Sequence, residues 1–191
     1  MPHPTPQALE TFAALHKACV AFGTRLFTVT VMDEANLINH RAYTSHPVEY
    51  PVSGTKPITR DGWYDQCIAG RQIFVSNTTP EFARYFFDHA LITSLGLGSC
   101  INIPVVQDGE VLGALLCERD EGRFTPIDII AMEDVARTVA PSCTACHSLS
   151  PGVNMAGPSL AGPATLSSTS SSMVRDCSGV STLKARVLAM G

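Results

Sequence analysis

The sequence predicts an α+β domain, a central antiparallel sheet with helices flanking it mainly on one face, followed by a mostly irregular C-terminal tail. Three observations lead there. Apolar residues recur at helical spacing near both ends of the first 140 residues, as Leu9, Phe12, Leu15, Cys19 and Phe22 and again as Ile129, Met132, Ala136 and Val139. Between these stretches the period changes to two, in pairs of short runs separated by turn residues. All thirteen aromatic residues lie at or before Phe124, so residues 141–191 have no large ring with which to build a core.

Thr5 followed by Pro6 is an N-cap with proline at the first helical position, so the first helix covers 6–22 and ends at Gly23. From Leu26, Phe27, Val29 and Val31 face one way while Thr28, Thr30 and Met32 face the other. The turn Asp33-Glu34-Ala35-Asn36 joins this strand to a second one over 37–45. Pro47, Pro51, Gly54 and Pro57 limit regular structure in 46–59 and predict a surface connection. A short helix follows over 59–69, closed by Gly70, then a strand over 72–76. A helix opens near Thr79 and Pro80 and carries Phe82, Phe86 and Phe87, and an apolar run over 91–97 comes after it. The strongest pairing signal is Cys100 to Val106 against Val111 to Cys117 around Gln107-Asp108-Gly109-Glu110, because Asp-Gly favours a tight hairpin turn. Thr125-Pro126-Ile127-Asp128 then supplies a cap, a proline in the first turn and an acidic residue, opening a last helix over 126–140.

Composition excludes several functions. The 191 residues carry a net charge of −4 without a basic stripe, which argues against nucleic acid as a partner. Arg25, Asp33, Arg41, Glu49, Lys56 and Arg60 recur too closely for a membrane-spanning helix. The start, MPHPTPQALETF, has neither a basic n-region nor an apolar h-region, so the expected compartment is the cytoplasm. Within residues 141–191, 24 of 51 positions are Ser, Thr, Gly or Pro, and the local charge is +2 against −6 for residues 1–140. Two kinds of sequence meet near Pro141, the second linker-like.

The stretch Ser99-Cys100-Ile101-Asn102-Ile103-Pro104-Val105-Val106, then Asp108-Gly109, Val111-Leu112-Gly113-Ala114-Leu115 and Phe124-Thr125-Pro126, resembles the C-terminal half of a GAF domain. The first helix and the 26–45 hairpin fit the other half, so the resemblance covers about residues 5–140. It implies a sensory or regulatory module that binds a small molecule between sheet and connecting helices, or that dimerises through its terminal helices. On that mapping residues 43–89 form a lid and the middle strands a floor. The weak candidate lining residues are Tyr43, Trp63, Tyr64, Cys67, Phe86, His89, Cys100 and Asn102, chosen because aromatic walls with a few polar groups make ligand sites. Asn102 stands out, since it lies between Ile101 and Ile103 and faces away from both. For most of the others the plain reading is ordinary core.

Cys143-Thr144-Ala145-Cys146-His147 matches the Cys-x-x-Cys-His pattern of c-type haem attachment, in which two thiols add to the haem vinyl groups and the adjacent His ligates the iron. With Ser148-Leu149, Asn154 and Gly157-Pro158-Ser159-Leu160-Ala161-Gly162, residues 141–162 resemble the start of a monohaem cytochrome c. That resemblance implies haem c on Cys143 and Cys146 with His147 as iron ligand, and a periplasmic location. It then breaks off. Met155 is too close to His147 to serve as the opposite axial ligand, and Met173 and Met190 lie in Ser/Thr-rich sequence without a helical pattern. The expectation is therefore a remnant, a fusion scar or a frame shift past about Ala161, with 163–191 a disordered tail. A dithiol redox pair, or a zinc site with Cys177 and His147, are weaker readings of the same cysteines.

Two functions follow. The favoured one is a non-catalytic GAF-type small-molecule-binding module, signalling through a second copy of itself, by the helices at 6–22 and 126–140, or through a downstream protein. The alternative is a haem-binding electron carrier or haem-based sensor using Cys143, Cys146 and His147. An enzyme acting through Cys67 or Cys100 ranks third, because neither thiol has a neighbouring His or basic residue to favour a thiolate. Outside the haem pattern no metal site is visible.

Overall fold

The computed structural model describes residues 4–52, 54–122 and 124–147. Helix α1 (Pro6–Val20) starts where Thr5 Oγ1 accepts a hydrogen bond from the Ala8 N–H at 3.2 Å, with Pro6 in its first turn. Strands β1 (Leu26–Asp33) and β2 (Ile38–Thr44) follow as an antiparallel pair, then a three-residue strand β3 (Thr55–Pro57). A π-helical turn (Tyr64–Ala69), β4 (Phe74–Ser76), α2 (Thr79–Phe82) and α3 (His89–Ser94) make the long connection. The hairpin β5 (Ser99–Gln107) and β6 (Glu110–Arg119) and the long helix α4 (Pro126–His147) complete the chain. The six strands form one antiparallel sheet in the order β3-β2-β1-β6-β5-β4.

The period-two pattern decides what each face buries. Phe27, Val29 and Val31 on β1, Ile101, Ile103 and Val105 on β5, and Leu115 and Cys117 on β6 pack beneath α1 and α4. Those helices contribute Phe12, Leu15 and Cys19, and Met132, Val135, Val139 and Cys143. Leu26 and Met32 on β1 and Cys100 on β5 face the opposite side, where the π-helical turn, α2 and α3 form a second, smaller core with Cys67, Ile68, Phe82 and Ile92. Helices thus cover both faces, two long ones on one and three short ones on the other. The apolar stripes of α1 and α4 close the protein's own core, and what they leave exposed for a second copy is Leu9, Val20, Ile127 and Ile130.

At the start of α4 the Thr125 N–H and hydroxyl each donate to Asp128 Oδ2 at 2.8 Å, and Arg119 lies 3.2 Å from Asp128 Oδ1. Burial opposes ionisation of Asp128, but these donors outweigh it and hold the carboxyl below its ordinary value.

The structure departs from the sequence pattern in four places. The expected surface connection 46–59 contains β3, whose Lys56 and Pro57 are residues suited to a sheet edge. The expected helix over 59–69 is a π-helical turn beginning at Tyr64 and closed by the Gly70 N–H on Asp65 O at 2.8 Å. The helix opening at Thr79 stops at Phe82, and the apolar run after Phe87 holds α3 instead. The last helix does not stop at Ala140: it continues through Pro141, because Val139 and Cys143, four residues apart, extend its buried stripe. Residues 141–147 are therefore helix where the sequence suggests the beginning of a linker. The side chains of Cys146 and His147, the rest of the cytochrome-like segment to residue 162, and the 163–191 tail lie outside the described residues.

Candidate ligand-binding site

On the face away from α1 and α4 the sheet is the floor of a cleft. Leu26, Thr28 and Thr30 of β1, Asn39 and Arg41 of β2, Asn102 of β5 and Leu116 and Glu118 of β6 form this floor, and Trp63, Tyr85, Phe86, Phe87 and Asp88 of the connection stand over it. The cleft volume is about 120 Å³, on the scale of a cavity that holds one small ring.

Of the lining residues expected from sequence, three meet here: Trp63, Phe86 and Asn102. Trp63 Nε1 donates to Asn102 Oδ1 at 2.9 Å. That bond fixes the amide, because an indole N–H needs an acceptor, and it aims the Asn102 NH₂ elsewhere. Cys67 and Cys100 do not line the cleft; each is 0% exposed in the second core, on the same side of the sheet. Burial pushes the Cys67 thiol up to about 12 and the Cys100 thiol well above its ordinary value. Both are protonated at neutral pH, which removes the thiolate that nucleophilic chemistry would need. Tyr64 is half-buried beside the second core with Arg60 over its ring, and His89 begins α3; neither lines the cleft.

Tyr43 is on the other face. Simple alternation would put Asn39, Arg41 and Tyr43 together, but β1 pairs Val29 with Tyr43 and Thr30 with Arg41, so Ala42 is an extra residue in β2. Beyond this bulge the side chains change sides. Asn39 and Arg41 enter the cleft, while Tyr43 packs under α1 against Phe12 and Phe27, its hydroxyl 3.1 Å from His16 Nδ1.

The charged lining residues come from separate elements. Lys56 Nζ pairs with Asp88 Oδ2 at 2.7 Å and lies over the Phe87 ring. The Arg41 guanidinium sits over the Tyr50 ring, and its Nη1 donates to Pro51 O at 2.9 Å. Glu118 is 5% exposed. Its burial, and then Asp88, push its carboxyl up to about 8 against the opposing pull of Lys56, so at neutral pH it is predominantly the neutral acid. Burial, Asp88 and Glu118 likewise push the Tyr50 phenol upward.

Five buried polar atoms around this cleft have no well-formed hydrogen bond: Arg41 Nε, Asp88 Oδ1, Asn102 Nδ2, Glu118 Oε2 and the Tyr50 hydroxyl, which faces Asp88. A buried polar atom without a partner costs roughly 1–3 kcal/mol. Such atoms are rare in folded proteins, and each calls for an explanation. Their collection in one concave site is what a polar ligand would relieve. Among the described residues no group of three His, Cys, Asp or Glu is arranged to hold a metal ion, and no helix is long and apolar enough to cross a membrane.

The family model of the GAF domain matches residues 8–142. The chain belongs to the GAF domain family. Solved GAF domains share its fold. One, from a Geobacter sulfurreducens putative membrane protein, is 16% identical with a TM-score of 0.57, over 72% of this chain and 92% of that one. The blue-light absorbing form of the Thermosynechococcus elongatus PixJ GAF domain is 15% identical with a TM-score of 0.57, over 75% and 88%. The GAF domain of a Bacillus halodurans two-component sensor histidine kinase is 12% identical with a TM-score of 0.57, over 71% and 95%. No curated protein matches the chain. The GAF match ends one residue before Cys143, and the helix that carries Cys143 closes the GAF core.

Proposed function

We propose that this GAF domain is a non-catalytic sensory or regulatory module that binds one small polar metabolite in the cleft and passes its occupancy to a downstream signalling protein. The observation that carries the reading is the set of five buried polar atoms without a well-formed hydrogen bond, on Arg41, Tyr50, Asp88, Asn102 and Glu118, around a concave site walled by aromatic rings. The lid is made of short elements, a three-residue strand, a π-helical turn and two helices of four and six residues. Short elements of this kind reorganise at low cost when a ligand binds.

The haem reading has less support. Cys143 is 0% exposed in the core beneath α4, and a thioether bond from its sulfur to a haem would have to draw the end of that helix off the sheet.

Thermal melting of the full chain against a set of small polar metabolites tests the proposal. At least one metabolite should raise the melting temperature saturably. Thr28→Phe, which fills the cleft floor without touching the α1–α4 face, should abolish the rise. A set that leaves the wild type unmoved, or a rise that survives Thr28→Phe, overturns it.

A further inference from the structure

On the face of the sheet away from the cleft, three sulfur atoms meet. Cys19 of α1, Cys117 of β6 and Met132 of α4 are each 0% exposed in the larger core. The Cys19 thiol donates to Met132 Sδ at 3.7 Å, and the Cys117 thiol donates to the same sulfur at 3.9 Å. The two thiols also lie close enough to act on each other. A single buried cysteine is an ordinary small hydrophobe. Three elements that each bring a sulfur to one point exceed what packing asks, since an apolar side chain would fill each position as well.

The spacing has a chemical meaning. An ion held in a plane by three sulfurs at about 2.3 Å, the length of a zinc–thiolate bond, keeps those sulfurs about 4.0 Å apart. We infer that Cys19, Cys117 and Met132 form a three-coordinate site for one Cu(I) ion, which ties both terminal helices to the sheet.

The donor set selects the ion. Thiolate and thioether sulfurs favour soft Cu(I), whereas carboxylate and water ligands suit Mg, Ca and Mn. A structural zinc site takes four ligands, and among the described residues no group of three His, Cys, Asp or Glu could supply them. Phe12, Leu15, Val135 and Val139 belong to the same core and make a dry apolar shell, which keeps solvent from the ion. Binding displaces one proton from each thiol to solvent, so the loaded site has two thiolates, one thioether and a net charge of −1.

Two neighbours suit that charge. The Thr24 N–H donates to Cys19 O at 3.2 Å, which sets Thr24 at the end of α1. Its hydroxyl is on a residue 3% exposed and makes no well-formed hydrogen bond. Burial, and Cys19 beside it, push the Cys117 thiol well above its ordinary value, while the Thr24 hydroxyl and the Arg119 guanidinium pull the other way. Thr24 is therefore a positioning residue, a donor ready for the Cys117 thiolate.

Because the sulfurs are buried, the ion is best supplied during folding. Refolding the full chain from urea, anaerobically and with one equivalent of Cu(I), tests the inference through copper-edge X-ray absorption and competition with bicinchoninate. The wild type should retain one copper per chain with three sulfurs at about 2.3 Å. Cys117→Ala should weaken retention by at least about 100-fold, since losing only an outer-shell partner already costs a site 10–100-fold. Met132→Leu, which keeps the core volume, should leave two sulfurs around the ion. Thr24→Val should weaken retention about 10-fold, and Thr24→Ser should restore it. A variant carrying both Cys143→Ala and Cys146→Ala should retain copper as the wild type does. Thermal melts of the metal-free variants confirm that each is folded. No retained copper, an unchanged three-sulfur shell in Met132→Leu, or copper kept by Cys117→Ala but lost with Cys143 and Cys146 would overturn the inference. None of these outcomes bears on the cleft, which is on the other face.

Discussion

Glu118→Gln should make the protein more stable at neutral pH. In the unfolded chain this carboxyl ionises near 4.5, and in the fold it holds its proton to about 8. Below pH 4.5 both states carry the proton and the acid is no burden. As pH rises, the unfolded state gains a favourable ionisation that the folded state lacks, so stability falls until about pH 8 and then levels. At pH 7 the difference is about 3 kcal/mol, at 1.36 kcal/mol per pH unit. Glutamine has nearly the same shape and does not titrate, so urea denaturation should give a variant about 3 kcal/mol more stable at pH 7, converging with the wild type near pH 4.5. Equal stability at pH 7, or a variant that is less stable, would show that Glu118 is ionised in the fold and partnered. A residue that weakens the fold while lining a cleft fits a role in binding, since sites for polar ligands are commonly kept at the expense of stability.

Gly113→Ala should cost at least about 3 kcal/mol, the upper range for forcing extra atoms into a packed interior. Gly113 pairs with Val31 at the end of the β1–β6 ladder, at the middle of the sheet. A Cβ there would lie 1.9 Å from Thr30 O and 2.9 Å from the Thr30 carbonyl carbon. Both are backbone atoms that cannot turn aside, so the two strands would have to separate. Gly109 is the useful contrast, with a positive φ of +84° in the β5–β6 turn and nothing within 4 Å of its added Cβ. Gly109→Ala should cost only about 1–2 kcal/mol, for left-handed backbone alone. Equal losses in the two variants, measured by thermal melting, would contradict the close β1–β6 approach.

These two residues also mark what the sequence makes legible. The glycine in Val111-Leu112-Gly113-Ala114-Leu115 is part of the pattern by which the GAF resemblance is read, and the structure supplies its physical reason. Strand alternation identifies Asn102 as facing away from Ile101 and Ile103, and the structure puts it in the cleft. The same alternation reaches Glu118 two residues beyond Leu116, but a strand taken to end at Cys117 stops one residue short of it. Tyr43 fails for a different reason: the bulge at Ala42 reverses the side-chain faces, and nothing local in Ile38–Thr44 announces an extra residue. Arg41, Lys56 and Asp88 converge from β2, β3 and the loop before α3. Convergence of that kind belongs to the tertiary fold and leaves no spacing to read. At Pro141 a local rule gives the wrong helix end, because the buried stripe that continues to Cys143 outweighs the hydrogen bond that proline removes.

The central claim is that the cleft binds a small molecule, and Trp63 gives the most direct test. It is the protein's one tryptophan, it lines the cleft, and its indole N–H is bonded to Asn102. Intrinsic fluorescence of the full chain therefore reports on the cleft without a label. Titration with the metabolite that most raises the melting temperature should give a saturable change in Trp63 intensity or emission maximum, with an affinity matching the thermal shift, and Thr28→Phe should abolish it. A metabolite that stabilises the protein while leaving Trp63 emission unchanged would mean that it binds elsewhere, and the cleft would lose its assignment.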